Sequence, residues 1–247
     1  MRILAAYNIK GGVGKTATAV NLGCLAAREG LRTLIWDLDP QGATSFYFRI
    51  KPKVKGGWSK LQGGKRQVDS RLKGTDFERL DLLPADFSYR HLDLKLGAAK
   101  RPTGQLQRVL RPLADDYDLL ILDCPPGISL VSENVFTVAD ALLVPVIPTT
   151  LSLRTLEQLR RFLGRGPLKS LPLLPFYSMT DPAMETHREV LERLPPGEDG
   201  MLAGQIPYAG DVERMGIERS PVLEYAPDSP AAQAYRGLWK EVRERLL

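Results

Sequence analysis

Two lysines and three glycines lie close together near the N-terminus, in the run Lys10-Gly-Gly-Val-Gly-Lys15-Thr16. Glycines let successive backbone N–H groups turn inward and approach an anion closely. In such a loop the ammonium group of Lys15 suits the β- and γ-phosphates of a nucleotide, and the hydroxyl of Thr16 suits Mg²⁺. The sequence therefore predicts a phosphate-binding loop that consists of Lys10, Gly11, Gly12, Val13, Gly14, Lys15, Thr16 and Ala17.

The loop differs from the usual phosphate-loop pattern at its start. That pattern has a glycine at position 9, where this chain has Ile9 followed by an additional lysine, Lys10. An apolar strand, Ile3–Tyr7, is expected before the loop, and helical apolar spacing follows it over Lys15–Glu29. A helix that begins at the loop directs its free N–H groups and positive dipole end toward bound phosphate.

Three aspartates follow other apolar runs. Asp123 comes directly after Leu119–Leu122, the position at which phosphate-loop enzymes hold Mg²⁺. Asp37 and Asp39 lie on alternate residues after the run Thr33–Trp36, so we expect their side chains to share an orientation. One of them would support the metal site and the other would orient an attacking water. The segment Pro125–Gly127 contains two prolines and is expected to be stiff. We expect it to sense the presence of the γ-phosphate, as switch loops do.

Short apolar runs alternate with helical patterns along the chain, which is typical of a parallel sheet covered on both faces. We expect an α/β fold with a doubly wound, mostly parallel sheet, in which ligands bind at the carboxyl ends of the strands. The 247 residues, of which 43% are hydrophobic and 26% charged, fit a single domain spanning 1–247. The two cysteines and the absence of a secretory signal pattern indicate a reducing, cytoplasmic location, and no apolar run is long enough to span a membrane.

Positive charge is concentrated in one part of the chain. The formal net charge is +5, yet residues 49–73 alone contain nine lysines and arginines and only one aspartate. We interpret residues 49–75, which are also rich in glycine, as a basic insertion that forms a long loop with at most a short helix. Such a local excess attracts polyanions, nucleic acid above all. The candidate DNA-contacting residues are Lys51, Lys53, Lys55, Arg160 and Arg161.

The loop, the run Asp37-Leu-Asp39-Pro-Gln41 and the run Leu122-Asp123-Cys-Pro-Pro126 together resemble the ParA/MinD family of deviant-Walker ATPases. The Asp-Pro-Gln run favours the ParA, Soj-like branch, and the likeness extends to the C-terminal helix. The resemblance implies a P-loop fold with ATP sandwiched between two subunits. It further implies that Lys15 binds the phosphates of its own subunit, that Lys10 reaches the partner's nucleotide, and that Asp39 positions the hydrolytic water.

The same resemblance implies a magnesium site and a set of partners. Thr16 would ligate Mg²⁺, Asp123 would hold it through water, and Asp37 would support that site. The implied cycle is ATP-driven homodimerisation, non-specific DNA binding at the nucleoid, and release when a ParB-like protein stimulates slow hydrolysis. Late in the chain the likeness weakens, because Ile206-Pro207 is followed by Tyr208 where an arginine is usual. Contacts to adenine are therefore placed only by position, near 179–182 or 207–211.

Other functions remain open from the sequence. A MinD-like ATPase acting on a membrane surface or another cargo would use the apolar stripe of the C-terminal helix, which contains Leu238, Trp239 and Val242. A reductase of the nitrogenase iron-protein type would need Cys124 at a subunit interface. A metabolic kinase or synthetase would need a pocket for a small-molecule acceptor. A scaffold that does not hydrolyse ATP would not need both loop lysines and all three aspartates.

Overall fold

The computed structural model describes residues 1–247 and contains one eight-stranded sheet flanked by helices. The strands are β1 (Arg2–Ala6), β2 (Thr33–Asp37), β3 (Lys73–Gly74), β4 (Leu80–Leu83), β5 (Leu119–Asp123), β6 (Ala141–Val146), β7 (Leu173–Thr180) and β8 (Gln205–Pro207). The α-helices are α1 (Lys15–Arg28), α2 (Ala43–Tyr47), α3 (Gly57–Leu61), α4 (Lys65–Asp69), α5 (Leu92–Gly97), α6 (Gln105–Leu110), α7 (Leu130–Val138), α8 (Thr150–Leu163), α9 (Glu185–Arg193), α10 (Gly210–Glu218), α11 (Val222–Tyr225) and α12 (Pro230–Leu246). Short 3₁₀ helices span Phe87–His91, Pro102–Gly104, Arg111–Leu113 and Gly166–Ser170.

The strand order is β3-β4-β2-β5-β1-β6-β7-β8. All neighbouring strands are parallel except the edge pair β3 and β4, so the expected doubly wound, mostly parallel sheet is confirmed. After β1 the chain passes to β2 on one side, and after β5 it passes to β6 on the other side of β1. The order of the strands thus reverses at β1, the place where such sheets bind ligands.

Two hydrophobic cores fill the two faces of the sheet. One contains apolar side chains from α3 to α9, and the other contains those of α1, α10, α11 and α12. The central strands β2, β5 and β6 are buried along their whole length, which explains why their sequences are apolar runs without alternation. Both faces therefore hold the strand ends rigidly in place.

The basic segment differs from the long loop that we expected. It forms the helices α3 and α4 and the edge strand β3, and it contributes to the core. Trp58 is only 2% exposed and stacks on Trp36 of β2, with 6.3 Å between the ring centroids. The apolar residues of this segment pack inward between glycine-rich turns, so its lysines are carried on an ordered surface.

The C-terminal helix α12 packs against the sheet. Leu238, Trp239, Val242 and Leu246 are all buried in the second core, together with residues of α1. The apolar stripe that a membrane-binding function would require is therefore covered by the protein itself. No helix combines the length and the apolar character needed to cross a membrane.

Candidate functional site

The loop between β1 and α1 has the backbone of an anion-binding nest. Gly12 and Gly14 have positive φ values of 69° and 93°, which turn the chain before α1 begins at Lys15. The helix has no side-chain cap at its N-terminus, so its first N–H groups remain available to an anion bound in the loop. A Cβ atom at Gly14 would lie 2.8 Å from the Oγ atom of Ser178, so glycine is required there for space as well as for φ.

The two lysines of the loop occupy different environments. Lys15 is 7% exposed, and its Nζ atom donates a hydrogen bond to the carbonyl of Lys10 at 3.1 Å. Burial lowers the pKa of Lys15, and the nearby carboxylate of Asp123 opposes that shift. Lys10 is exposed, and its side chain makes no hydrogen bond or ion pair. The ammonium group of Lys15 thus faces the loop, whereas that of Lys10 is free to contact another molecule.

A residue that the sequence did not single out fixes the start of the loop. Asn8 is 2% exposed, and its Oδ1 atom accepts a hydrogen bond from the backbone N–H of Lys10 at 2.9 Å. Its Nδ2 atom donates to the carbonyl of Pro145 in β6 at 2.7 Å. The position of Lys10 is thereby tied to the neighbouring strand. The sequence signal that could have identified this residue was an asparagine two residues before Lys10, just after the first strand.

Two of the three aspartates are brought together by the register of the sheet. Asp37 and Asp123 are paired across β2 and β5, and both are fully buried. Burial raises the pKa of each carboxyl group, and the charge of Asp123 raises the pKa of Asp37 further. The Oδ1 atom of each carboxyl group has no hydrogen-bond partner. Buried oxygens of this kind are unfavourable unless a ligand pairs with them.

The second oxygen of each buried aspartate is bound by hydroxyl groups. Asp123 Oδ2 accepts hydrogen bonds from Thr16 at 2.9 Å and from Thr44 at 2.7 Å. Asp37 Oδ2 accepts hydrogen bonds from the backbone N–H and the hydroxyl of Ser45. Sequence reasoning missed Thr44 and Ser45, although two adjacent hydroxyl residues opening a short helix after the Asp-Pro-Gln run were a recognisable pattern.

Asp39 lies at the rim of the site. It follows the end of β2, is partly exposed, and accepts the backbone N–H of Gln41 at 2.9 Å. Its negative charge contributes to the raised pKa of Asp123, so the two carboxyl groups are electrostatic neighbours. Asp37 is inside the strand and Asp39 is outside it, which places one carboxylate in the buried site and the other at its mouth.

The segment after Asp123 is joined to the loop by hydrogen bonds. The backbone N–H of Gly127 donates to the carbonyl of Ile9 at 2.9 Å, and the Tyr7 hydroxyl donates to the carbonyl of Gly127 at 3.0 Å.

Cys124 is 1% exposed, and its thiol faces the carbonyl of Leu122. A cluster shared between subunits cannot reach that sulfur, which argues against the iron-protein alternative.

The two segments expected near a nucleotide base meet beside the loop. Met179, Pro207 and Tyr208 line a small cavity of about 40 Å³ next to Gly14 and Ala17. Both segments therefore lie beside the start of α1, and their contact with a base stays a prediction.

The candidate DNA-contacting residues fall into two groups. Lys51, Lys53 and Lys55 are exposed and form no ion pair. Arg160 pairs with Asp199 at 2.7 Å and Arg161 pairs with Glu157 at 2.9 Å, so their charges are already matched within the protein. Of the five candidates, only the three lysines therefore have charges that are not matched by a carboxylate of the protein.

The donor set of this site fits a magnesium–nucleotide complex. Mg²⁺ prefers oxygen ligands, and the site presents the Thr16 hydroxyl beside two buried carboxyl groups with unpartnered oxygens. The loop N–H groups and Lys15 supply the complement to the phosphates. Fold and site together define the chain as a P-loop nucleotide-binding protein.

Comparison with known proteins specifies the family. Residues 1–166 match the family model described as an AAA domain. The sporulation initiation inhibitor protein Soj of Bacillus subtilis is 31% identical over 250 residues, covering 98% of each chain. The chromosome partitioning protein ParA of Caulobacter vibrioides is 31% identical, covering 99% of this chain and 95% of ParA. The chain belongs to the ParA/MinD family of deviant-Walker partition ATPases, in its ParA, Soj-like branch.

Solved structures share the fold of this chain. Cobyrinic acid a,c-diamide synthase from Mycobacterium smegmatis, with bound ATP analog and magnesium, has a TM-score of 0.83 at 28% identity, covering 99% of this chain and 95% of the synthase. The cell division ATPase MinD of Pyrococcus furiosus has a TM-score of 0.77 at 24% identity and covers 99% of each chain, which supports the fold alone.

Proposed function

We propose that this protein is an ATP-hydrolysing dimerisation switch that binds DNA non-specifically in its ATP state and drives chromosome or plasmid partition. Relatives over nearly the full length carry the names Soj and ParA. The substrate is ATP with Mg²⁺, the products are ADP and phosphate, and a ParB-like protein stimulates hydrolysis. The expected location is the cytoplasm, at the nucleoid.

The contrast between the two loop lysines carries this proposal. Lys15 is buried and is held to the loop of its own subunit, so it serves the nucleotide bound there. Lys10 is exposed, and its backbone is fixed by Asn8 while its ammonium group has no partner. An unpaired cation at a fixed point beside a triphosphate site is suited to a nucleotide bound by a second copy of the chain. ATP would therefore join two subunits.

Hydrolysis uses the carboxylates at the strand ends. Thr16 and Asp123 would hold Mg²⁺, Asp123 through water, and Asp37 would support them from the buried side. The metal, when bound, neutralises negative charge on the phosphate oxygens. Asp39, at the mouth of the site, accepts a hydrogen bond from water and orients it. Intrinsic turnover is slow, because Lys10 and the water are both in place only in the dimer.

Dimerisation controls DNA binding through the number of phosphate contacts. The logarithm of DNA affinity falls with the logarithm of salt concentration by about 0.9 per phosphate contact, so a dimer with twice the contacts binds far more tightly than a monomer. Lys51, Lys53 and Lys55 supply unpaired charge on an ordered surface. The MinD-like alternative lacks comparable support, because the apolar stripe of α12 is buried.

The test is the molecular mass and DNA retention of wild type, Lys10→Ala and Asp39→Ala with ADP, ATP and a slowly hydrolysed analogue. Wild type should dimerise and bind DNA with ATP and not with ADP. Asp39→Ala should remain dimeric and DNA-bound with ATP, because hydrolysis is blocked after assembly. Lys10→Ala should lose both properties while it still binds nucleotide. DNA binding that is the same with ADP and ATP would refute the switch.

A synthetase that consumes ATP together with an acceptor molecule is a second candidate. One similar structure carries the name of a synthase, and a cleft of about 550 Å³ lies beside Gln41 and Gly42. A synthetase consumes ATP only with its acceptor, whereas a switch hydrolyses ATP in water alone. Phosphate release without any added acid, increased by DNA and a ParB-like partner, would decide for the switch.

A further inference from the structure

A large cationic cleft lies between α3, α5 and α6 and shares no residue with the nucleotide site. Its volume is about 1000 Å³. No aspartate or glutamate lines it, and its remaining polar side chains are hydroxyl or amide groups. Five of its lining residues are cationic, namely Lys95, Lys100, Arg101, Arg108 and Arg111.

None of the five cationic side chains is paired with a carboxylate. Some cations elsewhere in the protein are paired internally, as in Arg49–Asp76 and Arg160–Asp199. All five residues of the cleft are exposed. Like charges crowded around one concave surface repel each other, and a bound polyanion relieves that repulsion. The cleft is therefore built for an anionic ligand.

The walls of the cleft favour a sugar–phosphate backbone over bases. Single-stranded nucleic acids are usually held by stacking of bases on exposed aromatic rings. The one aromatic residue of the cleft, Trp58, is 2% exposed and stacks on Trp36 in the core. Ala98 and Ala99 have small side chains and Gly104 has none, which allows a close approach to the surface. These features suit phosphate contacts without recognition of sequence.

The cleft is continuous with the basic segment. The part of α3 that lines the cleft lies within residues 49–73. Lys55 comes just before α3, and Lys60 is part of α3. An extended cationic track suits a polymer better than a small anion. We propose that this cleft is a binding site for the phosphate backbone of duplex DNA, additional to Lys51, Lys53 and Lys55. This proposal rests on the proposed DNA-binding function and assigns part of it to α5 and α6.

Charge reversal with a matched control tests the site. The cleft variant is Lys100→Glu/Arg108→Glu, and the control is Lys169→Glu/Lys240→Glu, which changes net charge equally at exposed, unpaired lysines outside the cleft. Affinity for a short mixed-sequence duplex is measured by fluorescence anisotropy with the slowly hydrolysed ATP analogue, between about 50 and 200 mM salt. ATP hydrolysis without DNA and the mass in solution check that folding and dimerisation are intact.

The cleft variant should lose at least about tenfold in affinity at about 0.1 M salt, and its salt slope should fall by about two per protomer. The control should change the slope by less than half as much. Equal slopes for the two variants would overturn the cleft as a DNA site. Competition by polyglutamate as effective as that of duplex would overturn DNA as the occupant and favour an acidic protein. Failure of wild type to bind duplex in any nucleotide state would instead refute the proposed function itself.

Discussion

Replacement of Gly14 by alanine should damage the phosphate loop through two separable effects. Gly14 has a φ of 93°, a conformation that side chains with a Cβ rarely adopt. Its added Cβ atom would also lie 2.8 Å from the Ser178 Oγ atom, a distance at which one of the two must move. Gly30 isolates the first effect, because its φ is 92° and no atom lies within 4 Å of an added Cβ.

The magnitudes follow from this comparison. A left-handed conformation costs a residue with a Cβ about 1–2 kcal/mol, so Gly30→Ala should lower the free energy of unfolding by that amount. Gly14→Ala should lose the same plus about 1–3 kcal/mol for overpacking against Ser178. For a chain of this length 1 kcal/mol corresponds to about 2–4 °C in Tm. Gly14→Ala should therefore unfold several degrees below Gly30→Ala.

Thermal unfolding with and without Mg²⁺ and ADP measures both stability and loop function. A ligand at about 100 times its Kd stabilises the native state by about 2.7 kcal/mol. Gly30→Ala should keep this gain, and Gly14→Ala should lose most of it because the loop N–H groups are displaced. Adding Ser178→Ala to Gly14→Ala should restore the steric part only. If Gly14→Ala and Gly30→Ala have equal Tm values and equal gains with ADP, the steric argument is wrong.

Three further predictions concern the frame of the site, the core and the surface. Asn8→Ala should leave ADP binding nearly unchanged but weaken ATP-dependent dimerisation about tenfold or more in sedimentation, since the Lys10 N–H loses its acceptor; an unchanged dimer constant would contradict this role. Trp58→Ala should cost about 3–5 kcal/mol in denaturant unfolding, whereas Trp58→Phe should cost much less. Arg32 holds the pKa of Asp118 at about 2, so Asp118→Asn should be less stable than wild type at pH 7. That difference should disappear as the pH falls from about 4 toward 2.

The sequence predicted the parts of the fold that are buried on both faces. Strand β5 (Leu119–Asp123) matches the apolar run Leu119–Leu122, because a buried parallel strand is a continuous apolar run. Helix α9 is mostly exposed, and only His187 and Val190 of its residues are buried. The Nδ1 atom of His187 accepts a hydrogen bond from the backbone N–H of Asp181. The local pattern of apolar residues therefore predicts an element well where that element is buried on both faces.

The candidate site was predictable to the extent that each residue follows its own strand. The phosphate loop and the three aspartates were found because each lies at the end of an apolar run. The pairing of Asp37 with Asp123 depends on the order β2-β5-β1, which brings residues 86 positions apart into register. Thr44 completes the site from a helix that is only five residues long. Such contacts are set by tertiary register, which local spacing does not encode.

The hydrogen bonds of Gly127 connect the phosphate loop to the segment after β5. Its N–H is bound to Ile9, immediately before the loop lysine, and its carbonyl is bound to the hydroxyl of Tyr7 in the core. Asp123, four residues earlier, is bound to Thr16 of the loop. The loop and the segment after β5 are therefore joined at two points and cannot shift independently. Ile128 follows this junction and is 42% exposed, so we expect a movement of the loop to displace an apolar side chain at the surface.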